Sequence, residues 1–210
     1  MNERRIRVLI VDDHWLVRQG LVSTIEIEPD FEVVGSTGEG PEAVRLFRET
    51  SPDITIMDLG LTPEMTGVQA IEAIRAEFPS AKIIVLSAHN GDEDIYRALH
   101  AGAVTFLLKD TLGRDLIPIL KDVYRGGRPI PSYVAGKLVE RLTQTPLTSR
   151  EIDVLRLMAR GKRNKEIAAQ LGISDATTQG HVKSILSKLN VHDRTEAVTV
   201  AIKRAIIHLD

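Results

Sequence analysis

The side chains best suited to chemistry in this chain are carboxylates that follow apolar runs. Asp12 and Asp13 come directly after residues 6–11, and Asp58 comes after 54–57. Ser87 comes after 83–86 and Lys109 after 104–108. If these runs are strands of one parallel sheet, three carboxylates, a hydroxyl and an ammonium meet at its carboxyl edge, where such sheets bind ligands. Crowded carboxylates repel, and some hold a proton unless a cation neutralises them. Mg2+ meets that need, because it takes one or two carboxylates together with phosphate and water. A carboxylate beside Mg2+ is a nucleophile toward phosphorus, and phosphoryl transfer asks chiefly for positioning and charge neutralisation. Asp58, central among the strand ends, is the expected acceptor. Asp12 and Asp13 are expected to hold the metal, and Lys109 and Ser87 the phosphoryl oxygens. An acidic residue at one strand end often only caps the next helix; the five together are what carry the chemistry.

The elements that must position these groups are legible in the first 125 residues. Short β-branched runs at 6–11, 31–35, 54–57, 83–86 and 104–108 alternate with helix-like segments at 14–27, 40–49, 67–78, 92–101 and 112–124. Such alternation predicts an α/β fold with a parallel sheet covered on both faces. The right-handed crossover rule leaves few topologies, and the flavodoxin-like (βα)5 order 2-1-3-4-5 is expected, with its switch point between strands 1 and 3.

Residues 126–146 read as a linker. Gly126-Gly127-Arg128-Pro129-Ile130-Pro131 cannot continue a helix, and a short helix over 132–142 is expected beyond it. From 147 to 210 only helices appear, an all-α four-helix unit. Thr148 or Ser149, Asn164, Ser174 and Asp193 are the expected caps, with Gly161 and Gly172 at turns. Thr178, Val182, Ile185, Leu186 and Leu189 form one apolar stripe. Ala168, Gly172 and the helix after Ser174 have helix-turn-helix spacing. The second helix of that motif enters the major groove of DNA. Gln179, Gly180, Lys183 and Ser184 are expected on its exposed side, with Lys165, Thr177 and His181 holding the backbone.

Composition fits two ordinary domains: 210 residues, 43% hydrophobic and 27% charged. No apolar run reaches the ~18 residues of a membrane span, so a cytoplasmic protein without membrane contact is expected. Cysteine is absent, which excludes disulfides and thiolate metal sites. The net charge of -2 conceals a division. Residues 1–130 carry 14 Lys/Arg against 21 Asp/Glu, a net of -7, and residues 147–210 carry 11 against 7, a net of +4. An acidic front and a basic back suit different partners.

The motifs Val11-Asp12-Asp13-His14, Met57-Asp58-Leu59, Leu86-Ser87-Ala88 and Gly102-Ala103-Val104-Thr105-Phe106-Leu107-Leu108-Lys109 resemble the receiver domain of response regulators. Leu147-Thr148-Ser149-Arg150-Glu151, Asn164-Lys165-Glu166-Ile167-Ala168 and Leu189 to Ala197 resemble the LuxR/FixJ-type DNA-binding domain. Together they resemble the NarL/FixJ family. The resemblance implies phosphotransfer from a sensor histidine kinase to Asp58, with Mg2+ held by Asp12 or Asp13, Asp58 and the carbonyl of Gly60. It implies that Ser87 is drawn toward the phosphoryl group and that Phe106 then rotates inward, and that Gly60 and His89 tune attack by water. It also implies a DNA-binding transcription regulator, homodimeric when phosphorylated through a last helix near 197–206, and not an enzyme with a separate substrate.

The chain departs from the family in two places. Asp58-Leu59-Gly60-Leu61-Thr62-Pro63-Glu64-Met65-Thr66-Gly67 is one residue longer than the usual Asp-Leu-x-Met-Pro-x-Met-x-Gly. Thr177-Thr178-Gln179-Gly180-His181 replaces the usual Thr-Val-Lys-x-His. The longer loop motivates an alternative, a regulator that binds DNA without receiver phosphorylation. A phosphohydrolase with an aspartyl nucleophile fits less well, because such enzymes carry Asp-x-Asp after the first strand and Asp12 and Asp13 are adjacent.

Overall fold

The computed structural model describes residues 4–61 and 64–208. The chain divides into two compact units, one of residues 1–89 and 95–135, the other of residues 136–210 with 90–94. Five strands, β1 Ile6–Val11, β2 Phe31–Thr37, β3 Ile54–Asp58, β4 Ile83–Ser87 and β5 Thr105–Leu108, alternate with five helices. These are α1 Trp15–Glu26, α2 Gly40–Thr50, α3 Gly67–Glu77, α4 Asp92–His100 and α5 Leu112–Tyr124. The strands are all parallel, in the order β2-β1-β3-β4-β5. This is the order expected from the alternation, and it sets β1 and β3 side by side. β2 runs two residues further than the apolar run suggests: β1 is six residues long, and a one-residue slip of register between Val8 and Leu9 carries its pairing on to Thr37.

The sheet is buried on both faces, which is why its strands read as unbroken apolar runs. Ile6, Val8 and Ile10 pack with Leu21 and Ile25 of α1 and Leu116, Leu120 and Val123 of α5. Leu9 and Val11, of opposite parity, are also fully buried. Pro118 lies inside α5. It removes one helical hydrogen bond, yet the flanking Leu116 and Leu120 keep the helix on the sheet.

One glycine is dictated by packing beside the acidic edge. Gly67 opens α3, and a Cβ there would lie 2.0 Å from the carbonyl oxygen of Asp58 and 2.7 Å from Leu59 Cα. Both are backbone atoms that cannot swing aside, so α3 sits close behind the end of β3 only because residue 67 has no side chain. Thr66 caps the same helix by accepting from the Gln69 backbone N–H at 3.3 Å, while Gln69 Oε1 accepts from Thr66 N–H at 2.9 Å. Thr62 and Pro63 of the lengthened loop lie outside the described residues.

The helix α6 Ser132–Leu142 follows the Gly/Pro break, and α7 Ser149–Ala159, α8 Asn164–Leu171, α9 Asp175–Leu189 and α10 Arg194–Lys203 complete the chain. The side chains of Thr148, Ser174 and Asp193 accept from backbone N–H groups at the starts of α7, α9 and α10. Asn164 does not cap α8, as the sequence suggested; it is the first helical residue. The Glu166 carboxylate accepts from Arg163 N–H at 2.8 Å and ties down that first turn instead. Val154, Leu155 and Met158 of α7, Ile167 of α8, Ile185 and Leu189 of α9 and Ala197 and Ala201 of α10 share one core. Thr178 is fully buried within the apolar stripe, and its hydroxyl donates to the Ser174 carbonyl one turn back at 3.2 Å. A polar atom at a core position is thus satisfied within its own helix. Gly161 and Gly172 take φ of 76° and 65°, left-handed geometry that glycine adopts without a Cβ penalty.

Candidate functional site

Pairing in the sheet sets the acidic group. Val11 lies opposite Met57, so Asp12 and Asp58 emerge from β1 and β3 at the same level. Asp58 lies opposite Leu86, and Ser87 opposite Leu108, which brings Ser87 to that edge one residue further on and Lys109 two. Asp12, Asp58 and Ser87 are 1%, 4% and 2% exposed, so polar groups have been withdrawn from water here. The Lys109 ammonium bridges the two carboxylates, 2.6 Å from Asp58 Oδ2 and 2.8 Å from Asp12 Oδ2. Gly60 N–H donates to Asp58 Oδ1 at 3.2 Å. Ser87 Oγ accepts from His89 N–H at 3.1 Å, which fixes the turn after β4.

Burial is the largest influence on Asp58 and pushes its carboxyl above the ordinary range; Lys109 offsets this only in part. On Lys109 burial works against the ammonium, but the combined pull of Asp12 and Asp58 outweighs it and holds the group above its usual value. Lys109 therefore stays charged beside the two buried carboxyl groups. Asp13 stands at the rim, its side chain 31% exposed. One donor atom each from Asp12, Asp13, His14 and Asp58 lies within 4.8 Å of the others. The hard oxygens in this set suit a divalent cation. His14 was legible only as part of a motif, since nothing in the spacing marked its ring as a donor to this group.

The Phe106 ring on β5 is fully buried. The ring carries no hydroxyl to draw it to the surface, and apolar area favours the interior. Its backbone carbonyl accepts from the Tyr133 hydroxyl at 3.1 Å, and the Thr105 hydroxyl donates to the Pro129 carbonyl at 2.5 Å. The segment after α5 is thereby held along β5. Burial pushes the Tyr133 phenol up to about 12.

In the helical unit, α8 and α9 meet at Gly172 and present Lys165, Thr177, Gln179, Gly180 and Lys183 on the outside, with His181 half-buried. Arg163, Asn164, Lys165, Glu166, Asp175 and Gln179 line an open depression of about 730 Å3. Gln179 Nε2 donates to Asp175 Oδ2 at 3.3 Å. Ser184 does not belong to this outer face. It is partly buried and its hydroxyl donates to Glu151 Oε1 at 2.6 Å. The cause is Glu151, a buried carboxylate of the α7 cap that must find donors; Lys188 supplies the other, 2.7 Å from Oε2. Although burial disfavours the charged form, Lys188, Ser184 and Thr148 together hold Glu151 down at about 2.

A family model described as response regulator receiver domain matches residues 8–121, and one described as bacterial regulatory proteins, luxR family, matches residues 145–201. The transcriptional regulatory protein LiaR of Bacillus subtilis (strain 168) is 39% identical over 97% of this chain and 100% of its own. Response regulator protein VraR of Staphylococcus aureus (strain NCTC 8325 / PS 47) is 38% identical over 96% and 99%. RcsB of Salmonella enterica serovar Typhimurium, solved bound to promoter P1flhDC in the presence of phosphomimetic BeF3-, aligns over 94% of this chain and 98% of its own at 27% identity and TM-score 0.71. Another RcsB structure, of two dimers bound to two parallel DNAs, aligns over 95% and 99% at 27% identity and TM-score 0.69. A receiver with an acidic strand-end pocket, followed by a helix-turn-helix and matched along nearly its whole length by such relatives, this chain belongs to the two-component response regulators with a LuxR-type DNA-binding domain, and it is a transcription regulator.

Proposed function

We propose that Asp58 accepts a phosphoryl group from the phosphohistidine of a sensor histidine kinase, and that phosphorylation favours a homodimer that binds double-stranded DNA through α9. The observation that carries this reading is the pair of buried carboxylates Asp12 and Asp58, bridged by Lys109 at 2.8 and 2.6 Å. An Asp58 oxygen bonds to phosphorus as the phosphorus–nitrogen bond to the kinase imidazole breaks. The Lys109 ammonium follows the charge onto the phosphoryl oxygens, and the buried Ser87 hydroxyl is placed to donate to one of them. Asp12, Asp13, Asp58 and the Gly60 carbonyl would hold Mg2+, which would neutralise the transferred oxygens. The fit rests on the donor set: buried hard oxygens at one level of the sheet edge, carrying more negative charge than Lys109 cancels. The chain turns over no separate substrate.

On α9, Gln179 and Lys183 read base edges and the space at Gly180 admits a base or a thymine methyl, while Lys165, Thr177 and His181 hold phosphates. RcsB, solved as dimers on DNA, supports the dimeric reading. No helix among the described residues is long and apolar enough to cross a membrane. The test is mass spectrometry of wild type and Asp58→Ala after acetyl phosphate and Mg2+, with dimerisation measured in the same samples. One added phosphoryl group and a shift to dimer are expected in wild type alone. Wild type without added phosphate would leave a regulator whose receiver works unphosphorylated.

A further inference from the structure

The donors around Asp58 are not all oxygen. His14 directly follows Asp13 and precedes the first residue of α1, and its backbone N–H donates to Asp12 Oδ1 at 2.9 Å. The loop that delivers the acidic pair thus also fixes where the imidazole stands. His14 Nδ1 lies 2.7 Å from Asp13 Oδ1 and 3.9 Å from Asp12 Oδ1. Ligand atoms about 2.1 Å from one ion lie between about 3 and 4 Å apart in octahedral geometry. The 4.8 Å span of the Asp12, Asp13, His14 and Asp58 donors is therefore within a small side-chain adjustment of enclosing an ion. A second observation points into the same space. Asp12 is 1% exposed, and its Oδ2 has the Lys109 ammonium at 2.8 Å as its one partner among the described residues. A buried oxygen in that position has acceptor capacity left over.

Imidazole nitrogen is a poor match for Mg2+ and a good one for Ni2+, and along the first-row series affinity for such a site rises from Mn2+ through Co2+ to Ni2+. We propose that His14 Nδ1 is a ligand of the ion bound at the acceptor, so that this pocket favours a nitrogen-accepting divalent cation more than an all-oxygen site does. The inference rests on the reading of Asp12, Asp13 and Asp58 as a divalent-cation site. With the ring proton on Nε2, Nδ1 offers its lone pair to the ion; the contact between His14 and Asp13 gives way to two coordinate bonds. The ring is free to make that exchange, because its side chain is 69% exposed.

The probe is Mn2+ bound to the full chain. Electron spin echo modulation from a directly ligated 14N is expected in wild type and absent in His14→Ala, and excess Mg2+ is expected to displace the signal. Trp15, the single tryptophan, adjoins His14 and is 61% exposed, so its fluorescence reports titrations of both ions. His14→Ala is expected to weaken Ni2+ or Co2+ about tenfold, or about 1.4 kcal/mol, and to leave Mg2+ affinity within about twofold. Mn2+ bound without 14N modulation, modulation that survives His14→Ala, modulation that excess Mg2+ does not displace, or equal weakening of Mg2+ and Ni2+ would each overturn the nitrogen ligand. If wild type binds neither Mg2+ nor Mn2+, the cation site falls as well. Mg2+ binding with oxygen-only Mn2+ removes the His14 ligand and leaves the cation site standing.

Discussion

At the scale of single residues, what surrounds Asp58 is decided as much by a missing side chain as by charged ones. A Cβ at Gly60 would stand 3.8 and 3.9 Å from the two Asp58 carboxylate oxygens, with no other atom in its way. Any side chain there would hang over the phosphoryl group and hinder the in-line approach of water. Gly60→Gln is expected to lengthen the half-life of phosphorylated protein by up to about tenfold, ~1.4 kcal/mol in the barrier, without preventing phosphorylation. Timed phosphate release from phosphorylated wild type and variant measures it, and an unchanged rate would mean that water attacks from elsewhere. A second residue-scale device lies on α9. Asp175 holds the Gln179 amide through Nε2 at 3.3 Å, which turns Oε1 and one remaining N–H outward for a base edge. Asp175→Ala frees that amide. Binding-site selection is expected to lose about tenfold of discrimination at one base pair, within the ~1–3 kcal/mol of a bidentate base contact. Affinity for unrelated DNA should hold or rise, because a negative charge has gone.

Elements depend on partners that a local reading does not supply, and Glu151 is the clearest case. In sequence it is the third residue of α7 and closes a capping box with Thr148. In the fold it is 4% exposed and held by Ser184 and Lys188, 33 and 37 residues further along. Its carboxyl falls from 4.5 to about 2. A group lowered on folding adds stability above its unfolded value and loses it as pH falls through the folded one. At neutral pH the shift corresponds to at most ~3 kcal/mol. Glu151→Gln should therefore lower the unfolding temperature of the helical unit at pH 7, and the deficit should shrink as pH falls from 4.5 toward 2. Calorimetry of the full chain reads this, and a deficit independent of pH would show that packing, not charge, is lost. The same contrast explains what was legible. The strand order and the carboxylates at strand ends were readable because a buried parallel sheet writes itself as apolar runs. Thr148, Ser174 and Asp193 were readable as caps because capping is local. Ser184 was misplaced because helical periodicity gives an angle, not the neighbour at that angle.

For the whole molecule, charge sets a test of how phosphorylation reaches DNA. The chain carries net -2, divided as -7 over residues 1–130 and +4 over 147–210. The phosphoryl group brings about -1.5 to -2 at pH 7 but replaces the charge of the Asp58 carboxylate, so the net addition is roughly -0.5 to -1, all of it to the acidic part. Long-range electrostatics alone therefore predicts weaker DNA binding upon phosphorylation, with the loss fading as salt screens it over about 8–10 Å. A gain in affinity must come from conformation or from dimerisation instead, since a ligand shifts an equilibrium only by binding one state better than the other. Operator titrations with and without beryllofluoride, at two salt concentrations, separate these terms. The expected result is tighter binding with beryllofluoride by about tenfold or more, undiminished at the higher salt and steeper in protein concentration, as two half-sites filled by a dimer require. Overall affinity should still fall with salt through phosphate contacts, and Lys183→Ala should shift that slope only if Lys183 meets phosphate. A beryllofluoride effect that is a loss, and that vanishes at high salt, would mean the receiver acts on DNA binding only as a charge.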